Sequence, residues 1–341
     1  DGYAHIYQYS PTGVMQRQVT NGNWDVTRLI GKDEVTGTIY YESAEESPLR
    51  RSVYSIDVKG KKTRLSTQQG TNSASFSSSY AYYVNHYSDA GTPMRISIHE
   101  TKTGKELRLL QENTALREKL SEYAFSPKEF TVITTATGEE LNAWIVKHAN
   151  FSESKKYPVV MFQYSGPNSQ SVLDRFGMDW EQYLAANGFI CVCVDGRGTG
   201  ARGEAFRKST YLRMGDLESR DQVEAAVALG KLPYVDKERI AIWGWSFGGY
   251  NTLMAMSVGN GVFKAGIAVA PPTDWRYYDT VYTERYMRTP KENKKGYDET
   301  SPVNLVKNLQ GKLLLVHGTA DGNVHFKQSM EYAEALRTAG K

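Results

Sequence analysis

Apolar and polar positions change their period about a third of the way along the chain. Up to about residue 120, short runs rich in tyrosine and threonine recur at 4–9, 38–41, 52–58, 80–87 and 95–100. Polar turns such as Asp57-Val-Lys-Gly60 and Glu100-Thr-Lys-Thr-Gly104 separate them. Short β-rich runs at fairly even spacing predict meander sheets of the β-propeller kind. At ~40–50 residues per blade the stretch holds about two four-stranded blades, and the blades needed for closure would precede Asp1. A small β-sandwich fits the same pattern.

Beyond this stretch the period lengthens. Residues 109–120 read as helical, and Phe125-Ser-Pro127 reads as a joint between a first domain, 1–125, and a second, 126–341. Residues 129–145 predict a hairpin turning at Thr137-Gly138. Strands at 157–164 and 189–194 then alternate with helices at 173–186 and 219–229, the latter with Val223, Ala226 and Val227 on its apolar face. A buried strand at 240–243 leads into a helix from Phe247. Strands at 265–269 and 312–316 bracket a loop-rich insertion, and a closing helix begins near Phe326. Strands separated by helices predict a mainly parallel, doubly wound sheet with helices on both faces and its site at the strands' C-terminal ends.

The 240–256 stretch carries the chemistry. Gly244, Ser246 and Gly248 fill G-x-S-x-G between a strand and a helix, the context of a nucleophile elbow. The small residues let neighbouring backbone approach the sharp turn, and the helix N-terminus favours a developing oxyanion. A glycine-rich turn with an incidental serine gives the same five letters. A serine hydroxyl needs a base and an orienting carboxylate, which follow the serine in chain order in this fold. Asp321, just past the strand at 312–316, stands where the acid belongs; a helix or turn cap is the lesser alternative for a loop carboxylate there. His317 and His325 are too near Asp321 to come from a separate loop and read as structural. The base is therefore expected beyond Lys341, and the 341-residue chain by itself is expected to be inactive.

Composition narrows the classes. With 40% hydrophobic and 23% charged residues and 23 tyrosines, the chain is globular. A net charge of +3, with no basic run denser than Lys59-Gly-Lys-Lys62, argues against nucleic acid as a partner. No apolar run reaches the ~18 residues of a membrane span. The sequence opens at Asp1 without a methionine, so it is read as cut from a longer protein and leaves export open. Cys191 and Cys193 alternate along one apolar strand without a histidine nearby, so they read as buried small hydrophobes rather than a metal pair. Asn150-Phe-Ser152 is a glycosylation sequon, weak as a sign of origin.

Three segments together resemble the prolyl oligopeptidase family, in particular its dipeptidyl peptidase branch and the bacterial members of it. They are Gly244-Trp-Ser-Phe-Gly-Gly-Tyr250, Tyr278-Asp-Thr-Val-Tyr-Thr-Glu-Arg-Tyr286 and His317-Gly-Thr-Ala-Asp-Gly-Asn-Val-His325. The likeness runs from Tyr157 to Phe326 and more loosely into the strand-rich part. It implies a β-propeller capping an α/β-hydrolase domain, and a serine exopeptidase that releases N-terminal X-Pro or X-Ala dipeptides through an acyl-enzyme.

By resemblance, Ser246 would be the nucleophile and Asp321 the triad acid. Tyr164, in Gln163-Tyr-Ser-Gly-Pro167, would complete an oxyanion hole with the Phe247 N–H. A core tyrosine is the alternative for Tyr164. Trp275, Tyr278, Tyr282 and Val324 would form the proline pocket. Tyr278 and Tyr282, four apart, would share a face if that segment is helical, and a packed aromatic cluster is the alternative. Asn323 would bind a substrate carbonyl, or else be an ordinary loop asparagine. Phe247 and Gly322 depart from the tyrosine and acidic residue common in relatives, at positions without a proton-transfer role.

The glutamate pair that captures the substrate's amino group in the family, with its nearby arginine, would precede Asp1. The triad histidine would follow Lys341. The resemblance implies neither a metal nor an organic cofactor, proline-containing peptides as substrates, a homodimer, and a periplasmic, membrane-associated or secreted location. Prolyl endopeptidase, tripeptidyl peptidase and acylaminoacyl peptidase activities are alternatives within the family. A catalytically inactive relative acting as a binding module is the alternative outside enzymology.

Overall fold

The computed structural model describes residues 2–123 and 125–341, which form two compact units. One comprises 1–127 with 173–179 and 200–205, and the other 128–172, 180–199 and 206–341.

The first unit is built of meander sheets. Strands Val26–Lys32, Ile39–Ser43, Ser52–Ile56 and Lys62–Arg64 pair antiparallel in sequence order. Strands Thr71–Phe76, Tyr82–Ser88, Arg95–Glu100 and Glu106–Gln111 do the same in a second sheet. These are two four-stranded blades of the propeller kind, preceded by a small pair, Tyr7–Tyr9 with Met15–Gln18. Tyrosines fill the interior: Tyr41 and Tyr83 are fully buried, and Tyr40 stacks on Tyr80 at 4.9 Å. The Tyr83 hydroxyl donates to the Leu65 carbonyl at 3.1 Å, meeting the need of a buried phenol for a partner.

Two sequence expectations fail in instructive ways. Residues 109–111 are not helical but finish the strand Glu106–Gln111, and the helix begins only at Thr114. All six residues of that strand are exposed, and its polar–apolar alternation runs only from Glu106 to Leu109 before the Leu109-Leu110 pair breaks it. Likewise the helix expected over 173–186 occupies only Trp180–Ala186. Hydrogen bonds of the first unit hold the missing part in a bent, non-helical path. The Asp174 carboxylate accepts from Arg50 Nε at 2.9 Å and from the Ala90 N–H at 3.0 Å, while its own N–H donates to the Leu49 carbonyl at 2.8 Å.

The second unit is a seven-stranded sheet in the order Glu129–Thr134, Glu140–Val146, Ile190–Asp195, Tyr157–Phe162, Val235–Trp245, Ala265–Val269, Lys312–Val316. The first three pair antiparallel and the rest parallel. Helices Asp216–Leu229 and Phe247–Val258 pack against each other, and the second lies on the strands Val235–Trp245 and Ala265–Val269 that precede and follow it in sequence. Met161, Val192 and Ile242 are fully buried in the centre of the sheet. Cys191 and Cys193 are buried free thiols on the strand Ile190–Asp195, and burial pushes the Cys191 thiol up to about 12. The helix Asp216–Leu229 corrects the sequence reading: it buries Glu218, Asp221 and Gln222 with Ala225 and Ala226 and exposes Val227. Its buried side is polar because ion-pair and amide partners wait there, such as Arg197 for Asp221.

Candidate active site

Ser246 stands between the strand Val235–Trp245 and the helix Phe247–Val258 with φ 58° and ψ −120°. Such a conformation is costly for a residue with a side chain and persists only where its surroundings enforce it. Here the Ser246 N–H donates to the Val269 carbonyl at 2.8 Å, and its own carbonyl accepts from the Tyr250 N–H at 3.0 Å. The flanking glycines are sterically required. A Cβ on Gly244 would lie 2.5 Å from the Gln163 carbonyl oxygen, and one on Gly248 closer still. Phe247 opens the helix, so its N–H is among those without an intrahelical acceptor.

The neighbouring strand end supplies the second wall. Gln163, fully buried, donates from Nε2 to the Gly248 carbonyl at 2.7 Å and to Thr252 Oγ1 at 3.2 Å. Its Oε1 accepts from Asn251 Nδ2 and from Ser165 Oγ, both at 3.0 Å. One amide thus ties the start of the serine's helix to the strand end that presents Tyr164. The Tyr164 ring lies 6.1 Å from that of Phe247. Burial first, then the neighbouring Tyr278 phenol, raises its pKa above the ordinary value, and a hydrogen bond with Ser246 acts the other way. A phenol kept protonated beside a serine hydroxyl is a donor available to charge developing there.

Aromatic side chains line the next layer. Trp275 is buried in the 3-10 turn Trp275–Tyr277, and its ring lies 5.4 Å from Phe247, 5.8 Å from Tyr278 and 6.0 Å from Tyr282. Tyr278 and Tyr282 meet edge to face at 5.4 Å. They do not share a helical face, however: Tyr278 precedes the helix Thr280–Met287. The Asp279 carboxylate caps that helix by accepting from the Val281 and Tyr282 N–H groups, and the bend brings the two rings together. Tyr250 is anchored by its hydroxyl, whose one proton is shared between the Met214 and Thr300 carbonyls at 2.6 and 2.8 Å.

Asp321 lies on the loop after Lys312–Val316. Its Oδ1 accepts from the Asn323 N–H at 2.9 Å and the Val324 N–H at 3.0 Å. The Asn323 N–H, the larger of these two effects, holds the carboxyl below the usual carboxylate range. Asn323 also reaches the aromatic layer, since its Oδ1 accepts from the Tyr278 hydroxyl at 3.1 Å. Val324 is buried. His317 is engaged at both ring nitrogens, by Ser329 Oγ at 2.6 Å and the Val324 carbonyl at 2.7 Å, with Asp321 Oδ2 3.5 Å from Nε2. His325 is exposed on the same loop. Among the described residues no group of three or more His, Cys, Asp or Glu could hold a metal ion.

Two contributors escaped the sequence reading. Gln163 was legible only as the one amide closing an apolar strand, and Tyr250 only as the last letter of the elbow motif.

A strained serine between strand and helix, at the C-terminal end of a central parallel strand, defines this as an α/β-hydrolase site. Residues 176–341 match the model of the prolyl oligopeptidase family, and residues 1–94 that of the dipeptidyl peptidase IV N-terminal region. The chain belongs to the prolyl oligopeptidase family. It is 38% identical, over its whole length, to a probable dipeptidyl-aminopeptidase B of Trichophyton verrucosum, covering 39% of that protein. It is 37% identical over 98% of its length to a probable dipeptidyl peptidase 4 of Emericella nidulans, covering 44% of it. Among solved structures, dipeptidyl peptidase 4 of Porphyromonas gingivalis matches with a TM-score of 0.98 and 60% identity over the entire chain, which spans 48% of that protein. The chain therefore spans roughly two fifths to a half of the length of these relatives.

Proposed function

We propose that this chain carries the acyl-transfer site of a serine exopeptidase that releases N-terminal X-Pro and X-Ala dipeptides. In this reading residues 1–125 are propeller and 126–341 are peptidase domain. The observation that carries it is the strained Ser246 facing a protonated Tyr164, with the Trp275–Tyr278–Tyr282 layer beside them. Ser246 Oγ attacks the carbonyl that follows the proline, giving its proton to a histidine base. Neither His317, whose two nitrogens are engaged, nor the exposed His325 is offered as that base. The Tyr164 hydroxyl and the Phe247 N–H stabilise the oxyanion, and Asp321 orients the base. The C–N bond breaks, the amine leaves with the proton, and water then hydrolyses the Ser246 ester.

Trp275, Tyr278, Tyr282 and Val324 receive the proline ring, a flat apolar ligand suited to aromatic walls. Asn323, oriented by Tyr278, donates its amide to a substrate carbonyl. The names of the relatives support dipeptide release over the other activities of the family. We further propose, on that likeness, a homodimer located in the periplasm, at a membrane or outside the cell; no helix among the described residues is long and apolar enough to cross a membrane.

The test uses the full-length protein and a Gly-Pro chromogenic amide, offered with a free amino terminus and with the same terminus capped. Cleavage of the free form alone is the expected outcome. Cleavage of the capped form would assign an endopeptidase or acyl-peptide hydrolase, and reaction of neither would overturn the peptidase reading.

A further inference from the structure

Next to the aromatic layer, and within the same unit, lies a cavity of about 550 Å³ whose charged lining is of one sign. Arg207, Lys208 and Arg285 line it together with Tyr211 and Tyr286, and no carboxylate is among the lining residues. A further cation stands close by: Arg288 Nε donates to the Tyr211 hydroxyl at 3.1 Å. Like charges gathered around a concavity raise its potential and favour an anionic guest. Guanidinium groups present forked donors that match a carboxylate, and phenols add further donors. The volume is in the range of small-ligand sites and exceeds what one side chain needs.

The cavity borders the aromatic layer of the candidate active site. Tyr286 meets Tyr282 edge to face at 5.1 Å, and its phenol is among the groups that raise the pKa of Tyr164. Pro167 and Asn168, which also line the cavity, belong to the loop that follows Tyr164. A peptide held over Ser246 would therefore have a cationic recess within reach of a residue beside its scissile bond.

We propose that this recess is a subsite for an acidic side chain, so that the enzyme favours peptides bearing glutamate or aspartate next to the proline dipeptide bond. The inference rests on the peptidase reading above. Arg207 and Lys208 select the carboxylate, while the aromatic layer selects the proline.

The experiment uses the full-length enzyme and two isosteric pairs with free amino termini: Glu-Pro and Gln-Pro chromogenic amides, and the peptides Gly-Pro-Glu and Gly-Pro-Gln. In at least one pair the acid should be cleaved with a kcat/KM about three- to tenfold above its amide at low salt, with the ratio falling toward unity near about 0.5 M salt. The double variant Arg207→Gln, Lys208→Gln should bring the same ratio to unity, with the amide substrate as internal reference. A ratio of unity in both pairs for the unaltered enzyme would overturn the subsite while leaving the peptidase reading in place. So would a preference that survives the double variant. Should the variant not fold, the salt profile decides, because an acid preference indifferent to salt would not come from these cations. Failure to cleave even the glutamine substrates would overturn the peptidase reading and the subsite together.

Discussion

Ser246 and Asp321 follow two strands of one sheet, yet they are held in opposite ways. Ser246 is fixed from beneath, by glycines that admit neighbouring backbone, by the buried Gln163 amide and by a helix buried along almost its whole length. Asp321 is fixed from within its own loop, by two backbone N–H groups offered to one carboxylate oxygen, and remains partly exposed. Geometry at the serine is thus a property of the core, whereas geometry at the aspartate is a property of a few residues at the surface. Damage at the first place should therefore appear as lost stability, and damage at the second as lost rate.

The largest effect expected from this contrast is kinetic. Asp321→Asn keeps an oxygen for both N–H donors but removes the charge, so kcat of the full-length enzyme should fall by about 10⁴-fold with little change in Tm. Equal rates for the two proteins would remove Asp321 from the mechanism. Next, Gly248→Ala puts a Cβ against the Gln163 carbonyl and should destabilise the fold by roughly 2–4 kcal/mol in a denaturant titration. An unchanged midpoint would mean that the elbow yields, and that the serine is less firmly held than the contrast requires.

A third effect depends on pH and vanishes at its acid end. Glu218 is fully buried beneath the same helix, and burial, the first cause, raises its pKa from 4.5 to about 8, with the Asp221 charge adding to the rise. A folded-state carboxyl pKa above the unfolded one means that the native state binds the extra proton, so stability falls as pH rises from 4.5 to about 8. Glu218→Gln should remove that slope, leaving a stability gap that is absent at low pH and widens across this window. Parallel melting curves for the two proteins from acid to neutral pH would show that Glu218 ionises without cost.

The contrast also explains what was legible. The elbow could be read from sequence because its requirement is local: glycine two residues either side of a serine, strand before and helix after. The meander sheets were legible from tyrosine-rich runs and polar turns, but the strand Glu106–Gln111 alternates only as far as Leu109, and its Leu109-Leu110 end runs into letters that read as helix. Residues 173–179 carry helical letters but follow a bent, irregular path because Arg50, Ala90 and Leu49, far away in sequence, hold Asp174. The aromatic layer was anticipated by resemblance, but the bend that assembles it lies in the Asp279 cap rather than in a four-residue spacing. The cationic recess draws on residues 207–211 and 285–286, which no single stretch of sequence displays as a site.

The four hydrogen bonds of Gln163 have a consequence for how this sequence can drift over generations. Its amide gives two and takes two, so a replacement must offer both polarities at the same reach. A single base change in a glutamine codon leads to glutamate, lysine, arginine, histidine, leucine or proline, and each loses a donor, an acceptor or the shape. The position therefore has no viable one-step neighbour. Lineages that keep the serine's turn should keep this glutamine, or change it only together with Asn251 and Thr252.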